Sequence, residues 1–255
     1  VEFFTTSDNL ANNIASSVGH YLKQQKPLLL HSTTEKITSI RWGERNQEAI
    51  KYFINLCDEI DKTDEDRLIS TFKSWDLIGV TENGLNFSAD GALLFGPSDR
   101  LPNGFHTDVI IEDYRTDLKV FNGTCLIIII KELQDRLIEF WQNTWETPLI
   151  RDDLGRPKII SKYPQAALVE AMVNFVIHRD YSVNDAAVIS STNEYIEFLN
   201  PGTSPYSADE LLSTRNALHP KYQRNDLIIK AVSRTRLNQR QGRGVIRIRE
   251  ALIQN

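Results

Sequence analysis

The chain has 255 residues and a net charge of −5, with 41% hydrophobic and 25% charged residues. That balance is ordinary for a soluble globular protein and is enough for one large domain or two to three small ones. No stretch approaches the roughly 18 apolar residues a membrane span needs, and two distant cysteines, Cys57 and Cys125, form neither a disulfide framework nor a metal motif, so a cytoplasmic, reducing setting is expected.

The first residue is Val1 rather than methionine, so a fragment or processed chain is expected. Residues 1–46 read as a small α/β piece, with a helix from Ser7 or Asp8 to Leu22 and short strands at 28–31 and 36–42. Those strands need more sheet than this stretch supplies. Ile50, Phe53, Ile54, Leu56, Cys57 and Ile60 recur at helical spacing over 46–61, and Asp64 can cap a second helix over 64–75. Residues 77–81 and 85–88 read as strands around Asn83-Gly84, a strong hairpin signal. A short apolar element over 89–95 closes at Gly96-Pro97. Two helices followed by a hairpin give a winged-helix-like middle region, a form that contacts DNA or simply packs.

Residues 107–114 and 118–121 read as strands. From 125 to 130 the composition favours a strand, yet Leu126, Ile130, Leu133, Leu137, Trp141 and Trp145 step by three and four, so one helix over 124–143 is expected. A turn at 153–156 and a strand at 157–161 lead into YPQAALVEAMVNFVIHRDY, residues 163–181.

That last stretch predicts a helix starting at Pro164 with a broad apolar face. Glu170 and Asn174 stack one turn apart on it, with His178, Arg179 and Asp180 at its end. Either the helix is half-buried and the two polar groups face water, or it is buried and something polar faces them, because an unpaired buried charge is costly. The HRD triplet does not begin a kinase catalytic loop: Asp185 stands where that loop has asparagine, and no glycine-rich loop precedes it.

Strands at 186–191 and 195–199 follow, the second ended by Asn200-Pro201-Gly202. Helices are expected at 207–213, 225–232 and 245–253. Gly242 and Gly244 flank Arg243 ahead of the last one, a weak phosphate-loop signal. Residues 213–255 carry ten Lys or Arg against two acids, a net +8 that leaves the remainder at −13. A basic tail on an acidic body can bind phosphate or nucleic acid, dock onto that body, or be a solvated Arg-rich helix. There is no G-x-x-x-x-G-K-[ST], hence no P-loop motor.

YPQAALVEAMVNFVIHRDYS, IEFLNPG, TRN and QGRGVIRIREAL together resemble the ATP-binding module of bacterial RecG-related proteins, described as ATP-dependent DNA helicases or transcriptional regulators. The likeness spans residues 36–255, is strongest over 163–249, and includes IRWGERNQEA and GALLFG. In that family the module follows an AlbA-like, Schlafen-type nucleic-acid-binding domain. The resemblance implies an α+β chain of three parts: a remnant of the AlbA-like domain at 1–46, the winged-helix-like region at 47–150, and at 151–255 a two-layer α/β sandwich like that of gyrase, the ninety-kilodalton chaperone, histidine kinases and MutL.

It further implies binding of ATP with Mg²⁺. Glu170 would be the catalytic general base and Asn174 the metal-holding amide. The nucleotide-binding set would be Asn174, His178, Arg179, Asp180, Asn200, Gly202, Arg215, Asn216, Gly242, Arg243 and Gly244, with Arg179 and Asp180 also able to brace the helix end. Asn200 stands where the wider superfamily has an adenine-binding Asp, and Gln241 or Gln239 where the family has Glu. The implied function is a regulatory switch in a DNA- or RNA-binding protein that forms homo-oligomers, with slow ATP hydrolysis. The alternative is a nucleic-acid-binding or oligomerisation module with a degenerate nucleotide pocket.

Overall fold

The computed structural model describes residues 37–58, 60, 64–101, 105–113, 119–121, 124–138, 149–151, 155, 157–159, 163–192, 195–204, 224–237 and 244–254. The expected elements at 1–35 and 207–213 lie outside them. The fold is α+β, and no helix among the described residues is long and apolar enough to cross a membrane.

Strand β1 (Ile37–Arg41) leads through a 3-10 turn into α1 (Gln47–Leu56), capped by the Asn46 side chain, and α2 (Glu65–Ser74), capped by Asp64. Both caps satisfy amide groups that a helix start leaves without partners. The hairpin β2 (Ile78–Thr81) and β3 (Gly84–Ser88) turns at Asn83-Gly84, where Gly84 takes φ 104°. Strand β1, the expected strand at 36–42, pairs antiparallel with β3, so the later hairpin supplies the additional sheet that this strand needs. Trp42, Phe53, Phe72, Phe87 and Phe95 close the core of this part with edge-to-face and tilted ring pairs, their centroids 4.9–6.1 Å apart. Helix α3 (Ala89–Phe95) is buried throughout.

The four-stranded sheet has the order β5-β4-β8-β9, from β4 (Val109–Asp113), β5 (Lys119–Phe121), β8 (Ala187–Ser191) and β9 (Ile196–Leu199). The central pair, β4 and β8, is parallel, in register from Val109↔Ala187 to Asp113↔Ser191, and joins strands from either side of residue 150. A parallel pair needs a crossover. This one contains α4 (Leu126–Glu132), which runs on as a π-helical turn over Leu133–Ile138, then β6 (Leu149–Arg151), β7 (Pro157–Ile159) and α5 (Gln165–Ile177). The β-branched run at 127–130 is helical because Leu126, Ile127, Ile129, Ile130 and Leu133 are all buried, so packing overrides propensity. Strand β6 was not foreseen.

Helix α6 (Asp226–Ser233) packs against both α3 and α5. Just beyond it, Arg236 donates its backbone N–H to Leu56 O at 3.0 Å, and Arg234 lies 4.6 Å from the centre of the Trp75 ring. One continuous hydrophobic core therefore runs from Ile40 to Leu237. Helix α7 (Gly244–Gln254) lies against α5.

Gly91 is where the hairpin and α3 meet most closely. A Cβ there would sit 2.1 Å from the Leu77 carbonyl oxygen, which is backbone and cannot rotate away. Gly91→Ala is expected to lower the unfolding free energy by about 1–3 kcal/mol, read as a lower urea midpoint. A wild-type midpoint would contradict that approach.

Candidate functional site

Helix α5 contains neither glycine nor proline and is buried on nearly every side, from Ala167 to Ile177. It starts at Gln165, with Pro164 just before it as the N-cap rather than as the first helical residue. Its far end is closed from a distance. Asn225, in the left-handed region at φ 59°, donates through Nδ2 to Ile177 O at 3.0 Å and to Arg179 O at 2.8 Å. Asparagine tolerates this backbone conformation better than most residues.

Glu170 does not face water. It is 5% exposed, and both carboxylate oxygens are engaged. Oε1 accepts from Asn174 Nδ2 at 3.2 Å, and Oε2 accepts from Arg247 Nη1 of α7 at 3.1 Å. The ion pair is asymmetric: the Arg247 side chain is 27% exposed and that of Glu170 only 7%. Gly244, the first residue of α7, presses on the same two side chains. A Cβ at 244 would lie 2.4 Å from Asn174 Nδ2 and 2.6 Å from Glu170 Oε1. The α7 amino terminus, where backbone N–H groups lack helical partners, thus sits directly over a buried carboxylate and a half-buried carboxamide.

A second group of the expected residues gathers at the other end of α5. Asn200, just after β9, donates from Nδ2 to Phe175 O at 2.8 Å. Because a carbonyl can only accept, this bond fixes the amide orientation. Asn200 Oδ1 is then a buried acceptor with no hydrogen-bond partner among the described residues. Gly202, at φ 102°, abuts Asp180, whose Cβ would lie 2.6 Å from an added one. Asp180 Oδ1 accepts from the Ser182 amide and hydroxyl, and Oδ2 lies 3.4 Å from Arg224 Nε.

His178 ends the helix with an exposed surface. Packing around the ring, and then the Arg224 guanidinium, hold its pKa down to about 4. The exposed surface of the residue limits that depression, since water still reaches it.

Arg179 turns away from both groups into the sheet. It is 2% exposed and donates to Asp108 O at 2.7 Å and Asp185 O at 2.8 Å, the residues ahead of β4 and β8. Burial pushes its pKa down, with Tyr181, Asp108 and Asp180 opposing. Its visible work is to tie together the entries of the two parallel strands.

Glu170, Asn174 and Gly244 are therefore brought together, and Asp180, Asn200 and Gly202 form a neighbouring group. Arg215, Asn216, Gly242 and Arg243 lie outside the described residues. Arg247 and Asn225 were missed. The signal for Arg247 was available, since a glutamate on a buried helix requires a cation and the basic tail supplies one three residues past Gly244. Asn225 left no local signal. Among the described residues there is no cluster of three or more His, Cys, Asp or Glu side chains able to hold a metal.

No family model matches the chain, and no curated protein matches it either. Among solved structures it is similar to the DIP2311 protein from Corynebacterium diphtheriae, with a TM-score of 0.65 at 18% identity. The alignment covers 92% of this chain and 44% of that one. The likeness is one of fold.

The Asn225 clamp separates two costs. Asn225→Gly keeps the backbone conformation and loses both bonds, and is expected to cost about 2 kcal/mol. Asn225→Ala adds left-handed strain and should cost about 1 kcal/mol more. Chemical unfolding of the two variants checks the order; a wild-type midpoint for Asn225→Gly would contradict the clamp.

Proposed function

We propose that the chain is a nucleotide-binding regulatory module that takes ATP with Mg²⁺ at α5. The observation that carries this reading is a carboxylate and a carboxamide side by side on a buried helix, in close contact with the first residue of α7, Gly244. A purely structural helix has no need of such groups, because burying them brings a desolvation cost without a matching gain.

The remaining features fit the same ligand. Asn200 Oδ1 is a buried acceptor without a donor among the described residues. Adenine presents a donating exocyclic amino group, whereas guanine presents an accepting oxygen at the corresponding position. The Asn in place of Asp at this position therefore keeps the acceptor that adenine requires. Asn174 would hold Mg²⁺ through its carboxamide oxygen. That the described residues include no carboxylate cluster is no obstacle, because Mg²⁺ in nucleotide sites commonly takes few protein ligands and completes its shell with phosphates and water. Mg²⁺ bound there would offset negative charge on the phosphate oxygens. Glu170 would accept a proton from an attacking water. Arg179 and Asp180 would brace the site rather than contact the ligand.

The regulatory setting, in a bacterial DNA-binding protein, follows from the family resemblance. Helix α2 does not strengthen direct DNA contact by the middle region, since it opens on half-buried Asp64 and exposed Glu65 and Asp66, which would repel phosphates.

Calorimetric titration of a non-hydrolysable ATP analogue tests the reading. Binding is expected to require Mg²⁺ and to weaken about tenfold or more in Asn174→Ala, while Glu170→Gln should bind and fail to turn ATP over. Absence of binding at millimolar analogue would remove the proposal, and hydrolysis by Glu170→Gln at the wild-type rate would remove Glu170 from the chemistry.

A further inference from the structure

We infer that Arg224 is a positioning residue for the base end of the nucleotide site: it fastens the turn after β9 to the end of α5, so that Asn200 Oδ1 stands where the exocyclic amino group of adenine arrives. The inference rests on the function proposed above and adds to it the residue that sets base selectivity.

The turn has a joint in it. On one side Asn200 is held by its Nδ2 bond to Phe175 O at 2.8 Å. Further on, Gly202 takes φ 102° against Asp180, and an added Cβ would lie 2.6 Å from Asp180 Cβ, an atom fixed to the backbone. That close approach requires glycine, and glycine adopts many backbone conformations. Contact alone therefore does not fix the turn. Arg224 supplies a constraint beyond the joint. Its Nη1 donates to Thr203 O at 3.2 Å, and its Nε lies 3.4 Å from Asp180 Oδ2. One guanidinium thus spans the two surfaces that meet at Gly202. The planar fork of arginine suits that task, whereas a lysine ammonium is a point charge.

Arg224 is itself held in place. The next residue, Asn225, is buried and donates to both Ile177 O and Arg179 O. The guanidinium therefore starts from backbone already pinned to the helix that carries Glu170 and Asn174. The ion pair is also sheltered. The Arg224 and Asp180 side chains are 18% and 14% exposed, so water screens them less than an open surface pair. Asp180 is steadied in turn by Ser182, whose amide and hydroxyl both donate to Oδ1. With both flanks of the turn tied, the Asn200 acceptor keeps one direction.

Arg224→Met keeps an unbranched stem and removes both contacts. In the nucleotide-free variant the Asn200 side-chain amide protons, followed by NMR, are expected to exchange with water about tenfold faster than in wild type, while those of Asn225 keep their rate. Calorimetry then compares ATP with inosine triphosphate, each with Mg²⁺. The inosine base carries an accepting oxygen where adenine carries its amino group. Wild type is expected to prefer ATP about tenfold or more, and Arg224→Met to lose most of that preference by weakening ATP alone. Arg224→Lys keeps the charge without the fork and should lose part of it. An unchanged Asn200 exchange rate, or a wild-type preference in Arg224→Met, would overturn the assignment. Equal weakening of both nucleotides would overturn it as well, since Arg224 would then only support the fold. Because the exchange is read without ligand, failure of wild type to bind ATP defeats the proposed function and is told apart from failure of the Arg224 assignment.

Discussion

A helix buried on nearly every side has to satisfy most of the polar groups it carries from within the protein, and α5 imposes that constraint on what surrounds it. Its sequence places Glu170, Asn174 and the HRDY ending on a body that is otherwise apolar and buried. Each of these groups recruits a distant segment. Arg247 comes 77 residues later to Glu170. Asn225 reaches back 48 residues to the last carbonyls of the helix. Arg179 reaches 71 residues back to Asp108. One arginine of the basic tail, Arg247, thereby serves the carboxylate of this helix.

The Arg179 contacts also explain how the site and the sheet are joined. Two backbone carbonyls just ahead of β4 and β8 accept from one guanidinium, and those strands form the parallel centre of the sheet. Tyr181, packed beside Arg179, donates to Val176 O at 2.5 Å and accepts at its own carbonyl from His106. The end of α5 is thereby fixed to the sheet, and Glu170 and Asn174 stand on that base under α7.

Local elements were legible in the sequence where a local signal existed. Helix α1 was marked by its apolar spacing, though it ends at Leu56 rather than running to 61, α2 by its Asp64 cap, and the hairpin β2–β3 by Asn-Gly, while α6 and α7 lie close to the expected 225–232 and 245–253. Helix α4 was recognised from its steps of three and four against its β-branched composition, though not its passage into a π-helical turn at Leu133. The pairings were not legible. Nothing near residues 37–41 says that they will meet 86–88, and nothing in 109–113 or 187–191 specifies a parallel register, since these are decided by burial across the whole chain. In the site, the Glu-x-x-x-Asn spacing was visible, but whether it faced water or a partner was not. The answer came from Arg247, whose position depends on how the tail docks. Arg179 shows the reverse case: its residue type fits a phosphate ligand, and its position commits it to backbone carbonyls.

The most direct test of a nucleotide site on α5 is to follow the side-chain amide resonances of Asn174, Asn200 and Asn225 by NMR while ATP with Mg²⁺ is added. The account predicts that Asn174 and Asn200 shift together and saturate at one concentration, that Asn225 stays in place, and that GTP fails to move Asn200. Silence of both Asn174 and Asn200 at millimolar ATP would contradict it, and would leave the buried Glu170–Asn174–Arg247 contact as a means of holding the tail to the body.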